Sequence, residues 1–94
     1  MTVMSYTRAD AVLARLPGWA RDGRVITRTV ETASFKEAVD LVVAVAEAAE
    51  EANHHPDIDI RYNRVRFALT SHDAGGLTEQ DFSLAAKVDV LAAR

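Results

Sequence analysis

Arg64-Val-Arg-Phe-Ala-Leu-Thr70 alternates without a break. On an extended chain Val65, Phe67 and Leu69 point one way, and Arg64 and Arg66 the other. A strand with one apolar and one charged face belongs to a sheet covered on one side and open to water on the other. Upstream, Ile58 to Tyr62 is again rich in β-formers, and Tyr62-Asn63-Arg64 reads as the turn joining the two into a hairpin. A third β-rich run, Gly23 to Val30, has room for two strands, although no turn between them is obvious.

Three helices flank these strands. The first is expected from about Thr7 to Leu16, with Thr7 as N-cap, Asp10 in the first turn and Pro17-Gly18 as the stop. The second opens on Ser34-Phe-Lys-Glu37, a capping box. Its apolar set (Phe35, Ala38, Leu41, Val42, Val45, Ala49) keeps helical spacing to about Asn53, and Pro56 limits it. The third begins at Thr78, with Leu77 and Phe82 placed as a hydrophobic staple. The order helix, strands, helix, strand, strand, helix predicts an α+β fold: an antiparallel sheet with helices packed on one face.

The chain has 94 residues, so one domain spanning 1–94 is expected. A domain this small buries only roughly 60–65% of its unfolded surface, which makes self-association a plausible remedy. There is no cysteine, which excludes disulfides, thiol chemistry and Cys-ligated metal. A net charge of −3 argues against a phosphate-tracking nucleic-acid binder. The apolar run Leu41 to Ala46 is far shorter than the ~20 residues a membrane span needs, and the N-terminus has no leader pattern. The expected setting is the cytoplasm, with no membrane.

The chemistry gathers in two short loops. His54 and His55 end the second helix, and His72 follows the last strand in Thr70-Ser-His-Asp-Ala-Gly-Gly76. In a hairpin, the start of one strand and the end of the next lie at the same end of the sheet, so the three histidines should converge. Glu50 precedes His54 by four residues, which on a continuing helix puts the carboxylate beside that imidazole. Zinc is the rival use, but adjacent histidines on extended backbone point apart and no His-x-x-x-His spacing occurs. General acid–base work fits imidazoles better, and no metal is expected. Ser71 lacks a nucleophile elbow, and Gly75-Gly76 is a turn rather than a phosphate loop. Trp19, the only tryptophan, reads as a core plug or as one wall of a flat pocket.

Glu50-x₃-His54-His55-Pro56, Tyr62-x₉-His72 and His72-x₈-Asp81, together with Gly76-Leu-Thr78, resemble the pterin-4a-carbinolamine dehydratase family. The likeness runs from roughly Trp19 to the C-terminus. It implies a four-stranded antiparallel sheet with three helices on one face, associating as homodimers or homotetramers. It also implies dehydration of 4a-hydroxytetrahydropterin to quinonoid dihydropterin, with a small-molecule pterin substrate and no cofactor. Carried over by position, His54 and His72 would be the principal acid–base pair, His55 would assist, and Glu50 would orient His54. Pro56, Ser71, His72 and Asp73 would line the pterin pocket, with Trp19 as a further wall. Asp81 is expected as a structural residue of the last helix. Gln80 stands where family members often carry a basic residue, and Asn53 where some have Asp. A role as a protein-interaction or assembly partner, and pterin binding in molybdopterin metabolism, are the alternatives on the same scaffold.

Overall fold

The computed structural model describes residues 2–94; Met1, the first residue of the expected domain, lies outside them. The elements are α1 (Tyr6–Leu13), β1 (Ala20–Asp22), β2 (Val25–Glu31), α2 (Phe35–Ala52), β3 (Asp57–Arg61), β4 (Arg64–Leu69) and α3 (Glu79–Ala92). The strands form one antiparallel sheet in the order β1-β2-β4-β3.

The alternation in β4 does what the sequence demands. Val65, Phe67 and Leu69 are fully buried, whereas Arg64 and Arg66 are exposed. The register pairs Ile26 with Leu69 and Val30 with Val65, so β2 turns its own apolar residues to the same side. These residues share one core with Ala9 of α1, Ala38, Leu41, Val45 and Ala49 of α2, and Phe82, Leu84, Ala85 and Val88 of α3. Among the described residues, no helix is long and apolar enough to cross a membrane.

Two expectations need correction. The N-cap of α1 is Ser5, whose Oγ accepts from Arg8 N at 3.1 Å, and Thr7 lies inside the helix. This helix ends at Leu13 and unwinds through short-range bonds, Arg15 N to Val12 O and Leu16 N to Leu13 O, before Pro17. The β-rich run from Gly23 to Val30 holds one strand, β2, and its hairpin partner β1 lies wholly upstream of Gly23. Asp22 and Val25 are paired, and Gly23, with φ at 60°, takes the left-handed turn position between them.

Arg21 ties α1 to β1. Its guanidinium donates to both Asp10 oxygens, at 2.7 and 3.0 Å, and sits over the Tyr6 ring. That hydrogen-bonded partner holds the Asp10 carboxyl below its ordinary range. At the far edge from β3, Trp19 is buried, and its Nε1 donates to Asp89 Oδ1 at 2.8 Å. Arg28 pairs with the same oxygen. One carboxylate thus satisfies an indole N–H and a half-buried guanidinium, tying β1 and β2 to α3. Asp89→Ala strands both donors. The expected loss is about 1–3 kcal/mol of unfolding free energy by urea titration, from unsatisfied buried polar groups; a change near zero would show that water replaces the carboxylate freely.

Candidate active site

The site is built where α2 stops. Ser34 caps the start of α2 by accepting from Glu37 N at 3.1 Å, while Glu37 reaches back to Ala33 N. The helix ends at Ala52, and Asn53 takes a left-handed conformation, φ 49° and ψ 43°. His54 N then closes the end on Ala49 O at 3.1 Å. This left-handed residue redirects the chain, so the four-residue helical spacing no longer applies beyond it.

The consequence reverses the expected pairing of Glu50. Glu50 holds His55 Nε2, not His54, in an exposed pair. His54 swings inward, with its side chain only 10% exposed, and its Nε2 lies 2.6 Å from Asp81 Oδ1. An ionised Asp81 can only accept, which assigns the proton of this bond to His54 Nε2 and leaves Nδ1 without a partner among the described residues.

Asp81 is the third residue of α3 and is fully buried. Its Oδ2 accepts from Thr78 N at 2.9 Å and from Ser71 Oγ at 2.8 Å. Ser71 Oγ also meets Thr78 Oγ1 at 2.8 Å. The expected structural role of Asp81 at the helix start is present. In addition it holds His54, a tertiary contact that no local pattern signals.

The loop after β4 is tightly closed. Ser71 O accepts from the backbone N–H groups of Ala74, Gly75 and Gly76, and Ser71 N donates to Gly76 O. Gly76 packs closely on the N-terminal segment: a Cβ there would lie 2.7 Å from a Val3 methyl, so Val3 would have to shift. Thr70 Oγ1 donates to Arg24 O at 2.6 Å, tying the loop to the β1–β2 turn.

Asn53, His54, His55, Thr70, Ser71, His72, Asp73 and Gln80 line one cleft of about 320 Å³. The three histidines do converge. His72 is exposed and makes no side-chain hydrogen bond among the described residues. Pro56 and Glu50 are not among the residues that line it, and the Ser71 hydroxyl bonds into the buried network. Trp19 is not brought to the cleft; it is core at the opposite edge of the sheet, bound to Asp89. Asn53, Thr70 and Gln80 are lining residues that sequence reasoning did not select. Their signals were adjacency to the histidine loops and to Asp81 and, for Asn53 and Gln80, a departure from the family pattern. A wider groove of about 550 Å³ between α2 and α3 carries Glu51, Glu79 and Lys87 but no histidine. Among the described residues no cluster suits a metal ion. The cleft thus offers proton donors and acceptors at the scale of a small-molecule ligand.

A family model described as Pterin 4 alpha carbinolamine dehydratase matches residues 2–91. A relative in Chloroflexus aurantiacus is 60% identical over 89 residues, spanning 95% of this chain and 96% of its own length. One in Thermomicrobium roseum is 54% identical over 82 residues, covering 87% and 88%. Both are named, provisionally, as pterin-4-alpha-carbinolamine dehydratases. A crystal structure from Brucella melitensis, described as a transcriptional coactivator/pterin dehydratase, superposes with a TM-score of 0.93 at 30% identity, covering 97% and 99% of the two chains. A pterin dehydratase-like protein, described as a RuBisCO assembly factor of the alpha-carboxysome, shares the fold at a TM-score of 0.65 and 24% identity, covering 79% and 86%.

Asp81→Asn keeps the size of the side chain but turns one acceptor into a donor, facing Thr78 N–H, Ser71 or His54. Unfolding free energy should fall by about 1–3 kcal/mol in urea titration. Unchanged stability would mean that the network can rearrange around an amide.

Proposed function

The chain belongs to the pterin 4 alpha carbinolamine dehydratase family, and from that premise we propose that it dehydrates 4a-hydroxytetrahydropterin to quinonoid dihydropterin by histidine acid–base catalysis, in tetrahydropterin recycling. The observation that carries this reading is the convergence of His54, His55 and His72 on one cleft, with His54 anchored to a buried carboxylate.

The reaction breaks the C4a–O bond and removes the proton on N5. The hydroxyl leaves as water after gaining one proton, and the N5 electron pair forms the C4a=N5 double bond. Two groups are needed, one to donate and one to accept. His54 suits the base. Its Nε2–H is committed to Asp81, so Nδ1 is the free nitrogen, and the carboxylate stabilises the imidazolium that forms, the logic of a base–orienter pair. His72 suits the acid, because it is exposed and can regain its proton from water. His55, held by Glu50 at the rim, binds and orients the ring. Ser71, Asp73 and the backbone around them shape the pocket, and Pro56 fixes the turn from His55 into β3. The expected setting is the cytoplasm.

Self-association belongs to the same proposal. Phe35, Val39, Val42, Val43 and Ala46 form an apolar stripe on α2 beside its buried face, with Phe35 54% and Val43 53% exposed. β3 is an edge strand, and its outer side has no strand partner among the described residues. Covering both by further copies gives a homodimer or homotetramer. The α2 stripe also favours a second reading, a protein-interaction role, since a relative of the same fold is described as a transcriptional coactivator/pterin dehydratase.

Carbinolamine dehydration followed by stopped flow tests the enzyme. His54→Ala and His72→Ala should each lower kcat by roughly 10²-fold or more while the fold survives, within the span of single acid–base groups. A folded wild-type protein that gives no acceleration would move the function to the interaction reading. Val43→Glu should shift the sedimentation-derived mass to a smaller species. An unchanged mass would place the interface elsewhere.

A further inference from the structure

Ser71 lines the cleft yet is buried, with the residue 4% exposed. Its hydroxyl donates to Asp81 Oδ2, and Thr78 Oγ1 lies at 2.8 Å on its other side. When Ser71 donates to the carboxylate, the Thr78 hydroxyl supplies the proton that Ser71 Oγ accepts. The chain of bonds then runs Thr78 to Ser71 to Asp81 Oδ2, and from Asp81 Oδ1 to His54 Nε2.

Ser71 is also the residue before His72. Through this hydroxyl the loop that carries one proton-transfer imidazole is bonded to the carboxylate that holds the other. Thr78 N also binds Oδ2, but it belongs to the start of α3 and says nothing about where the loop sits. We propose that Ser71 is a positioning residue: its hydroxyl fixes the rotation of the Asp81 carboxylate, and with it the ring orientation and tautomer of His54 relative to His72. The bearing of this on catalysis rests on the dehydratase reading above, whereas the geometry of His54 does not.

The carboxylate plane is set by what each oxygen accepts. With Ser71 Oγ gone, Oδ2 keeps one donor, and the carboxylate can rotate about its Cβ–Cγ bond. A base held on a loosened partner loses alignment, and small displacements of a reacting group cost rate steeply.

The test is long-range ¹H–¹⁵N correlation of the imidazoles in the wild type, Ser71→Ala, Ser71→Cys and Ser71→Thr, run beside the dehydration assay. In the wild type, His54 should be the Nε2–H tautomer with a protected, downfield proton. Ser71→Ala should mix the tautomers, broaden that proton, and lower kcat about tenfold with little change in KM. Ser71→Thr, which keeps the hydroxyl, should restore both readouts relative to Ser71→Ala. If Ser71→Ala does not fold, Ser71→Cys fills the site with a weak donor and should move His54 in the same direction by less. A folded Ser71→Ala, or failing it Ser71→Cys, with wild-type His54 signals overturns the proposal, as does a Ser71→Thr protein as impaired as Ser71→Ala. Should the wild type show no dehydration, the imidazole spectra still decide the positioning role, and only the functional reading falls.

Discussion

A carboxylate with no exposure to water needs donors, and Asp81 collects them from three separate parts of the chain. The start of α3 provides Thr78 N–H, the loop after β4 provides the Ser71 hydroxyl, and the segment after α2 provides the His54 ring. Moving an ion of this size out of water costs several kcal/mol unless its oxygens are bonded. The requirement therefore acts on all three segments at once. None can move away without leaving the charge short of a partner, and the place where they meet is the wall of the cleft. Stability of the helix start and geometry of the imidazole are set by the same two oxygens.

The rest of the molecule serves that junction. The β3–β4 hairpin brings the residue after α2 and the residue after β4 to one end of the sheet. β2, in the middle, gives β4 a second neighbour and so fixes the strand from which the loop departs. On the far edge, Asp89 binds Trp19 and Arg28, holding the other half of α3 to β1 and β2. The helix is pinned near both ends by buried or half-buried carboxylates. Between them Phe82, Leu84, Ala85 and Val88 supply the apolar area.

What the sequence made legible followed local periodicity. The hairpin was readable because strand alternation has a period of two and nothing in β4 breaks it. The start of α2 was readable because Ser34 and Glu37 have the spacing of a reciprocal cap. The start of α1 was misplaced because Ser5 and Thr7 are both cap residues, and the choice is made by which one meets a free N–H. The strand before β2 was placed too far downstream because three residues carry too little pattern, although Gly23 was a usable turn signal. The convergence of three histidines came from topology. Their partners did not, because Asp81 reaches His54 across the tertiary fold and the Glu50 spacing fails once the helix has ended. Trp19 could be read two ways, and only the position of Asp89 resolves it toward the core.

Asn53 makes the left-handed turn after which two neighbouring imidazoles part, one largely buried against Asp81 and one exposed beside Glu50. Its left-handed φ is within easy reach of Asn, Asp and Gly, and costly for a β-branched side chain. The range of residues open to this position over evolutionary drift is thus set by geometry before chemistry. An exchange of Asn for Asp leaves the turn as it is. A valine or isoleucine would disturb both histidines together, though its own side chain need never meet the substrate.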